Sequence, residues 1–352
     1  MTIRRDFKNI IRDRQHNTGE SYSTARIHVM REQAERLARS TDQRAPETAP
    51  RPTGATAVSE APGAKRPPEV VEAAVLKVNK RSVRVRILGE LGQVTFRSVD
   101  ATDLVPGQIV TLTIARRWPW RGDAYANGSI ADAHIDVAKL GLEPLPLEGG
   151  QLDDLRSYSE PFTRPEPYAA LWLRLTARPR PSFEFDGIAW GAFPGRDFED
   201  NATCDAAELA GEGEPELARE LLMDVLATDL RCIDAHAHLG NLEFARAPER
   251  AMIHYEIGVR IAELSLPVGF DGLLTWGLIY NRPFLRCLHG YGLCLWRLGR
   301  LADAQRVFRR MLALNPNDNQ GVRACWDDVR NRRPWDEAAG DRGDHGVDGL
   351  PR

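Results

Sequence analysis

Apolar residues change their spacing several times along this 352-residue chain. Phe7, Ile10 and Ile11 recur at helical intervals, and His16-Asn17-Thr18-Gly19 interrupts them. Tyr22, Ala25 and Val29 then form a second stripe, with Ser21 or Ser23 placed to cap it. This pattern predicts a helical hairpin over residues 1–39. From 40 to 69 the chain holds Pro, Ala, Thr and Gly with a single Val and no larger apolar residue. Such a segment buries too little surface to offset its ordering entropy, which predicts a disordered linker. From 70 to 137 the period falls to two, as in Val83-Arg84-Val85-Arg86-Ile87 and in Val94-Thr95-Phe96. Gly89, Gly92, Pro106-Gly107 and Asn127-Gly128 punctuate these runs. Short β-rich runs at this spacing predict a small closed β-barrel, of the kind used by OB and SH3-like domains.

Residues 138–198 are rich in proline, which predicts a connecting segment with one short element at Tyr168 to Leu175. Helical spacing returns over 199–331, and residues 332–352 read as a disordered tail. Within the helical part, Gly292, Gly299, Ala304, Phe308 and Pro316 stand at fixed intervals, with Leu288, Leu295 and Leu312 between them. Residues 285–318 therefore resemble one unit of the tetratricopeptide repeat (TPR) family, as found in bacterial proteins, in which 34 residues form two packed helices. Weaker units are discernible over 199–232 and 233–265, and Asp318 to Arg330 reads as a closing helix. The resemblance implies a C-terminal all-α tetratricopeptide-like helical repeat array. The fold class expected is then multidomain α+β, with that array, a central small β-barrel and an N-terminal helical hairpin. Residues 264–283 interrupt the array with an apolar insertion holding Phe270, Leu273, Leu274 and Trp276. It either fills the groove of the array or offers a patch to a partner.

Charge narrows the functional classes. Lys and Arg number 47 against 50 Asp and Glu, a formal net charge of −3. An overall basic nucleic-acid binder is excluded, although a local basic patch is not. Five cysteines without a Cys-x-x-Cys pair suit a reduced, cytoplasmic chain. The charged start MTIRRDFKNIIRDRQ lacks the apolar core of a signal peptide, and the run 272–280 is too short to span a bilayer. No membrane partner is expected.

The chemistry-bearing motifs are sparse. Gly-x-Ser-x-Gly, a phosphate-binding glycine loop and His-Glu-x-x-His are all missing, so neither an enzyme nor a cofactor is expected. His236 and His238 lie two apart on a helix and cannot chelate one ion together, so no metal is expected. Two surfaces stand out instead. The repeat resemblance places Asn241, Phe244, Arg286, His289, Leu293, Trp296 and Arg297 on the concave face, where they either bind a protein or peptide segment or contact the insertion. That makes the chain a protein–protein interaction adaptor or scaffold. The alternative lies in Arg116, Arg117, Trp118, Trp120 and Arg121, between two predicted strands. Guanidiniums interleaved with indoles bind phosphates and stack on unpaired bases, which suits RNA or single-stranded DNA. On the other reading the tryptophans cap the barrel or dock on the repeat domain, with arginines stacked over them.

Overall fold

The computed structural model describes residues 69–155, 167–191 and 201–336, together with Arg14, Asn17, Thr18, Ala25, His28 and Val29. The chain divides into two compact units, Met1–Pro67 and Pro68–Arg352. Apart from six positions, all helical, the first unit lies outside the described residues. The predicted hairpin and linker therefore lie almost wholly outside them, as does the tail beyond residue 336. Asn17 and Thr18, read as part of a break, are helical, and the Thr18 hydroxyl donates to the Arg14 carbonyl at 2.9 Å.

The second unit begins with five strands. They are β1 (Glu69–Asn79), β2 (Ser82–Ile87), β3 (Val94–Arg97), β4 (Ile109–Trp120) and β5 (Asp123–His134). They close into a barrel in the order β1-β2-β3-β5-β4, with β4 returning to β1. Every pairing is antiparallel except β3 with β5. The alternation in β2 explains its seat: Val83, Val85 and Ile87 fill the barrel, and Ser82, Arg84 and Arg86 face away. β1 departs from this rule, with Ala73 to Leu76 buried in succession. One of its faces lines the barrel and the other meets a helix.

Among the described residues eight α-helices follow: α1 (Tyr168–Leu175), α2 (Ala202–Gly211), α3 (Pro215–Thr228), α4 (Ile233–Phe244), α5 (Pro248–Glu263), α6 (Arg282–Arg297), α7 (Leu301–Leu314) and α8 (Val322–Arg330). α2 packs with α3, α4 with α5 and α6 with α7. Proline opens α3 and α5 and stands in the first turn of α6, where a missing N–H costs nothing. Asn201 caps α2 by accepting the Thr203 N–H at 2.9 Å. Close approach depends on glycine: a Cβ on Gly292 would overlap the Phe308 ring, and one on Gly240 would come 2.5 Å from the Tyr255 ring.

The expected fold class is corrected on two counts. The barrel is not a separate body, because it and the helices share one compact unit. β1 packs on α3, and Lys77 pairs with Asp224. At the turn before β4, Gly107 has φ +95°, and a Cβ there would lie 2.7 Å from Cγ2 of Ile257 on α5. Nor is the segment 138–198 a connector with one short element only. Strands β6 (Leu147–Asp153) and β7 (Arg180–Phe185) pair antiparallel, and Ser182 bridges to Leu273 of the insertion. The physical reason lies in the side chains. Phe185, Leu273 and Leu274 leave water only by entering the helical core, and exchanged hydrogen bonds keep their backbone satisfied. Phe183 N–H donates to Leu273 at 2.9 Å and Leu273 N–H donates to Pro181 at 2.8 Å. Arg180 fastens this junction: its buried guanidinium donates to the carbonyls of Asp271, Gly272 and Ala313 at 3.0, 3.0 and 2.7 Å.

Candidate nucleic-acid interface

β4 and β5 have twelve residues each and β3 only four, so the β4–β5 hairpin runs past the barrel. Its turn is Arg121-Gly122, with φ of 52° and 88°. Two left-handed residues in succession make the mirror-image turn that matches strand twist, with Trp120 and Asp123 as the closing pair.

A bulge decides what the hairpin displays. The β4–β5 register shifts between Ile114 and Arg116, leaving Ala115 as an extra residue. Leu112 and Ile114 point into the barrel, so unbroken alternation would send residues 116, 118 and 120 inward as well. The extra residue reverses the phase, and these side chains emerge on the outer face instead. Gly128 makes the bulge feasible, since a Cβ there would collide with the Thr113 carbonyl.

On that outer face Trp118 stands opposite Tyr125 and stacks on it, with ring centres 5.8 Å apart and planes at 16°. Trp120 meets the same tyrosine edge-on at 6.0 Å and is 54% exposed. Guanidiniums lie over each ring: Arg97 over Tyr125 at 5.5 Å, Arg116 over Trp118 at 6.0 Å and Arg121 over Trp120 at 4.8 Å. A cavity of about 290 Å³ opens beside the stack, lined by Val94, Arg117, Trp118, Pro119, Ala124 and Tyr125.

Arg117 has a different role from its neighbours. It keeps the inward phase and bridges two carboxylates, Glu69 at 2.7 Å and Glu90 at 2.8 Å. Its hydrogen bond holds the Glu90 carboxyl below the usual range, and Glu90 in turn raises Arg117. This side chain ties the hairpin to the start of β1 and to the β2–β3 turn. Tyr125 belongs to the face without having stood out beside the tryptophans, because strand pairing rather than chain proximity assembles it.

The seven residues assigned to the concave face of the helices lie elsewhere and serve internal contacts. Asn241 is buried and accepts the Tyr255 hydroxyl at 2.7 Å. Arg286 pairs with Asp234 at 2.7 Å and lies over Trp276. Burial opposes the Asp234 charge, yet Arg286 and His238 hold its carboxyl down at about 2. His289 is buried edge-on to Phe308, and Leu293 is in the core. Trp296 donates to the Arg333 carbonyl at 2.8 Å and meets Trp335, which also packs on Phe244. Arg297 covers the Phe244 ring and donates to its carbonyl. In the insertion, Leu273 and Leu274 are buried and Trp276 is half-buried beneath Arg282 and Arg286.

A larger cavity, about 380 Å³, lies between the insertion and helices α5 and α7, but its Arg310 and Glu263 pair with each other. Among the described residues no three His, Cys, Asp or Glu side chains are grouped to hold a metal ion. Burial pushes the thiols of Cys232, Cys287, Cys294 and Cys325 well up, which makes them poor nucleophiles. Among the described residues no helix is long and apolar enough to cross a membrane. No protein-family model, curated protein or solved structure matches this chain.

Proposed function

We propose that this is a nucleic-acid-associated protein and that the barrel is its binding module. The observation that carries the reading is the outward stack of Trp118, Tyr125 and Trp120 with a guanidinium over each ring. Exposed aromatic faces offer stacking to bases, and arginines offer charge to phosphates. Closed five-stranded barrels of the OB type use one outer face and its flanking loops in this way. The net charge of −3 does not oppose it, because the cationic side chains are concentrated locally. The helical part serves as a rigid carrier, joined to the barrel through β1 and α3.

The protein-segment reading would use the concave residues, and those are occupied by partners within the chain. The discriminating measurement is fluorescence anisotropy of the full chain with labelled oligonucleotides, single-stranded and duplex, at about 50 mM and 200 mM salt. Binding that weakens as salt rises supports the reading, since phosphate contacts release counterions. An absence of binding to any oligonucleotide at the lower salt refutes it.

A further inference from the structure

We infer that the ligand is a single strand, crossing the outer face of β2, β3, β5 and β4, held by four arginines and stacked on Trp118 and Trp120. This rests on the barrel being a nucleic-acid module, and it specifies the strand state and the contacts. Register carries the argument. Arg84 of β2 pairs with Thr95 of β3, Thr95 with Tyr125 of β5, and Tyr125 with Trp118 of β4. Phe96 and Ala126 are buried beside these positions, so the four side chains share the outer face. One row along, Arg97 pairs with Asn127 and Asn127 with Arg116. Arg121 follows at the tip.

This face thus places Arg84, Arg97, Arg116 and Arg121 around one aromatic cluster. None of the four has a carboxylate partner among the described residues, and the nearest acid along the hairpin is Asp123 at the tip. Three interstrand steps of about 4.8 Å make the row about 14 Å wide, which suits a site at the short end of about 4–16 nucleotides. The ligand is unpaired because the aromatic faces have value only to a base whose own face is free, and a duplex stacks its bases on one another. Arg117 is excluded from the contacts, since both of its carboxylate bonds are made within the barrel.

The test is a salt titration of wild type, Trp118→Ala, Arg97→Gln and Arg117→Gln against a labelled 12-mer of mixed single-stranded sequence and its duplex. Circular dichroism confirms that each variant is folded. Four phosphate contacts give a log K against log salt slope of about −3 for a single strand. Trp118→Ala should weaken binding by about 5- to 150-fold with the slope unchanged. Arg97→Gln should reduce the slope by about 0.7, and Arg117→Gln should leave the slope as it was. Binding to neither oligonucleotide overturns the proposed function along with this inference. Duplex bound as tightly as single strand, or single-strand affinity indifferent to Trp118→Ala, overturns the stacked path alone. A slope reduced by Arg117→Gln and not by Arg97→Gln overturns the assignment of the arginines.

Discussion

Gly290→Ala adds one methyl group to the middle of α6, and it should destabilise the protein although alanine is the better helix former. Tyr255 is fully buried on α5, and its ring lies against both Gly240 of α4 and Gly290 of α6. A Cβ on Gly290 would overlap the ring. The ring cannot simply retreat, because Gly240 is in contact on another side and the hydroxyl is bonded to Asn241 at 2.7 Å. Overpacking of this kind costs about 1–3 kcal/mol. Loosening a buried hydrogen bond adds about 1–3 kcal/mol. Alanine returns about 1 kcal/mol through helix propensity. The net expectation is a loss of about 1–5 kcal/mol, out of a total stability on the order of 5–15 kcal/mol. Urea unfolding followed by circular dichroism measures it. Tyr255→Val removes the obstacle, so in that background Gly290→Ala should be neutral or stabilising by up to about 1 kcal/mol. A single Gly290→Ala variant more stable than wild type would refute the reasoning, because it would show that the ring leaves this space open.

Three further outcomes are expected. His236 and His254 are buried with ring centres 6.3 Å apart, and burial lowers His236 to about 4 and His254 well below its ordinary value. Both are neutral in the fold while the unfolded chain takes up protons near pH 6.5, so stability is complete above that pH. It should fall as pH drops from about 6.5 to 4, by about 3 kcal/mol for His236 alone, and a urea midpoint constant across that window would contradict this. Arg180→Ala strips donors from three carbonyls at the junction of β7, the insertion and α7, and should cost about 3 kcal/mol or more by urea unfolding. Asp234→Ala removes the buried carboxylate that Arg286, His238 and Thr203 share and should cost about 3–5 kcal/mol, whereas a thermal midpoint equal to wild type would show that the Asp234–Arg286 pair does not hold α4 to α6.

Much of the barrel is legible in the chain because alternation is a local property. Val83, Val85 and Ile87 reveal their face without reference to any other strand. The bulge at Ala115 is not legible, since an extra residue leaves no mark until its partner strand is known. The tryptophans could therefore be noticed while their direction could not. β6 and β7 are hidden for a related reason. Pro181 and the Gly149-Gly150 pair read as loop, while β7 bridges to Leu273, about 90 positions away, and β6 pairs with β7. The concave residues show the limit of spacing arguments. The repeat resemblance implies that Asn241, Arg286 and Arg297 face a common side, but not that Tyr255, Asp234 and the Phe244 carbonyl already use them. Arg117 could not be told from Arg116 by composition, and the carboxylates that separate them come from Glu69 and Glu90.

The double burial of β1 has a consequence for biosynthesis. Its two faces belong to cores completed at different times. The barrel face is covered once β5 has emerged, but the other awaits α3, and the Lys77–Asp224 pair spans 147 positions. At about 5–20 residues per second, a ribosome takes about 7–30 s to cross that interval. The barrel itself is complete only for the last part of that interval, from His134 to Asp224, and for those roughly 5–18 s it presents an apolar strand surface that α3 has yet to cover. Chaperone dependence and aggregation on slowed translation should therefore concentrate in β1, and a finished chain should melt as one cooperative transition rather than as barrel and helices in turn.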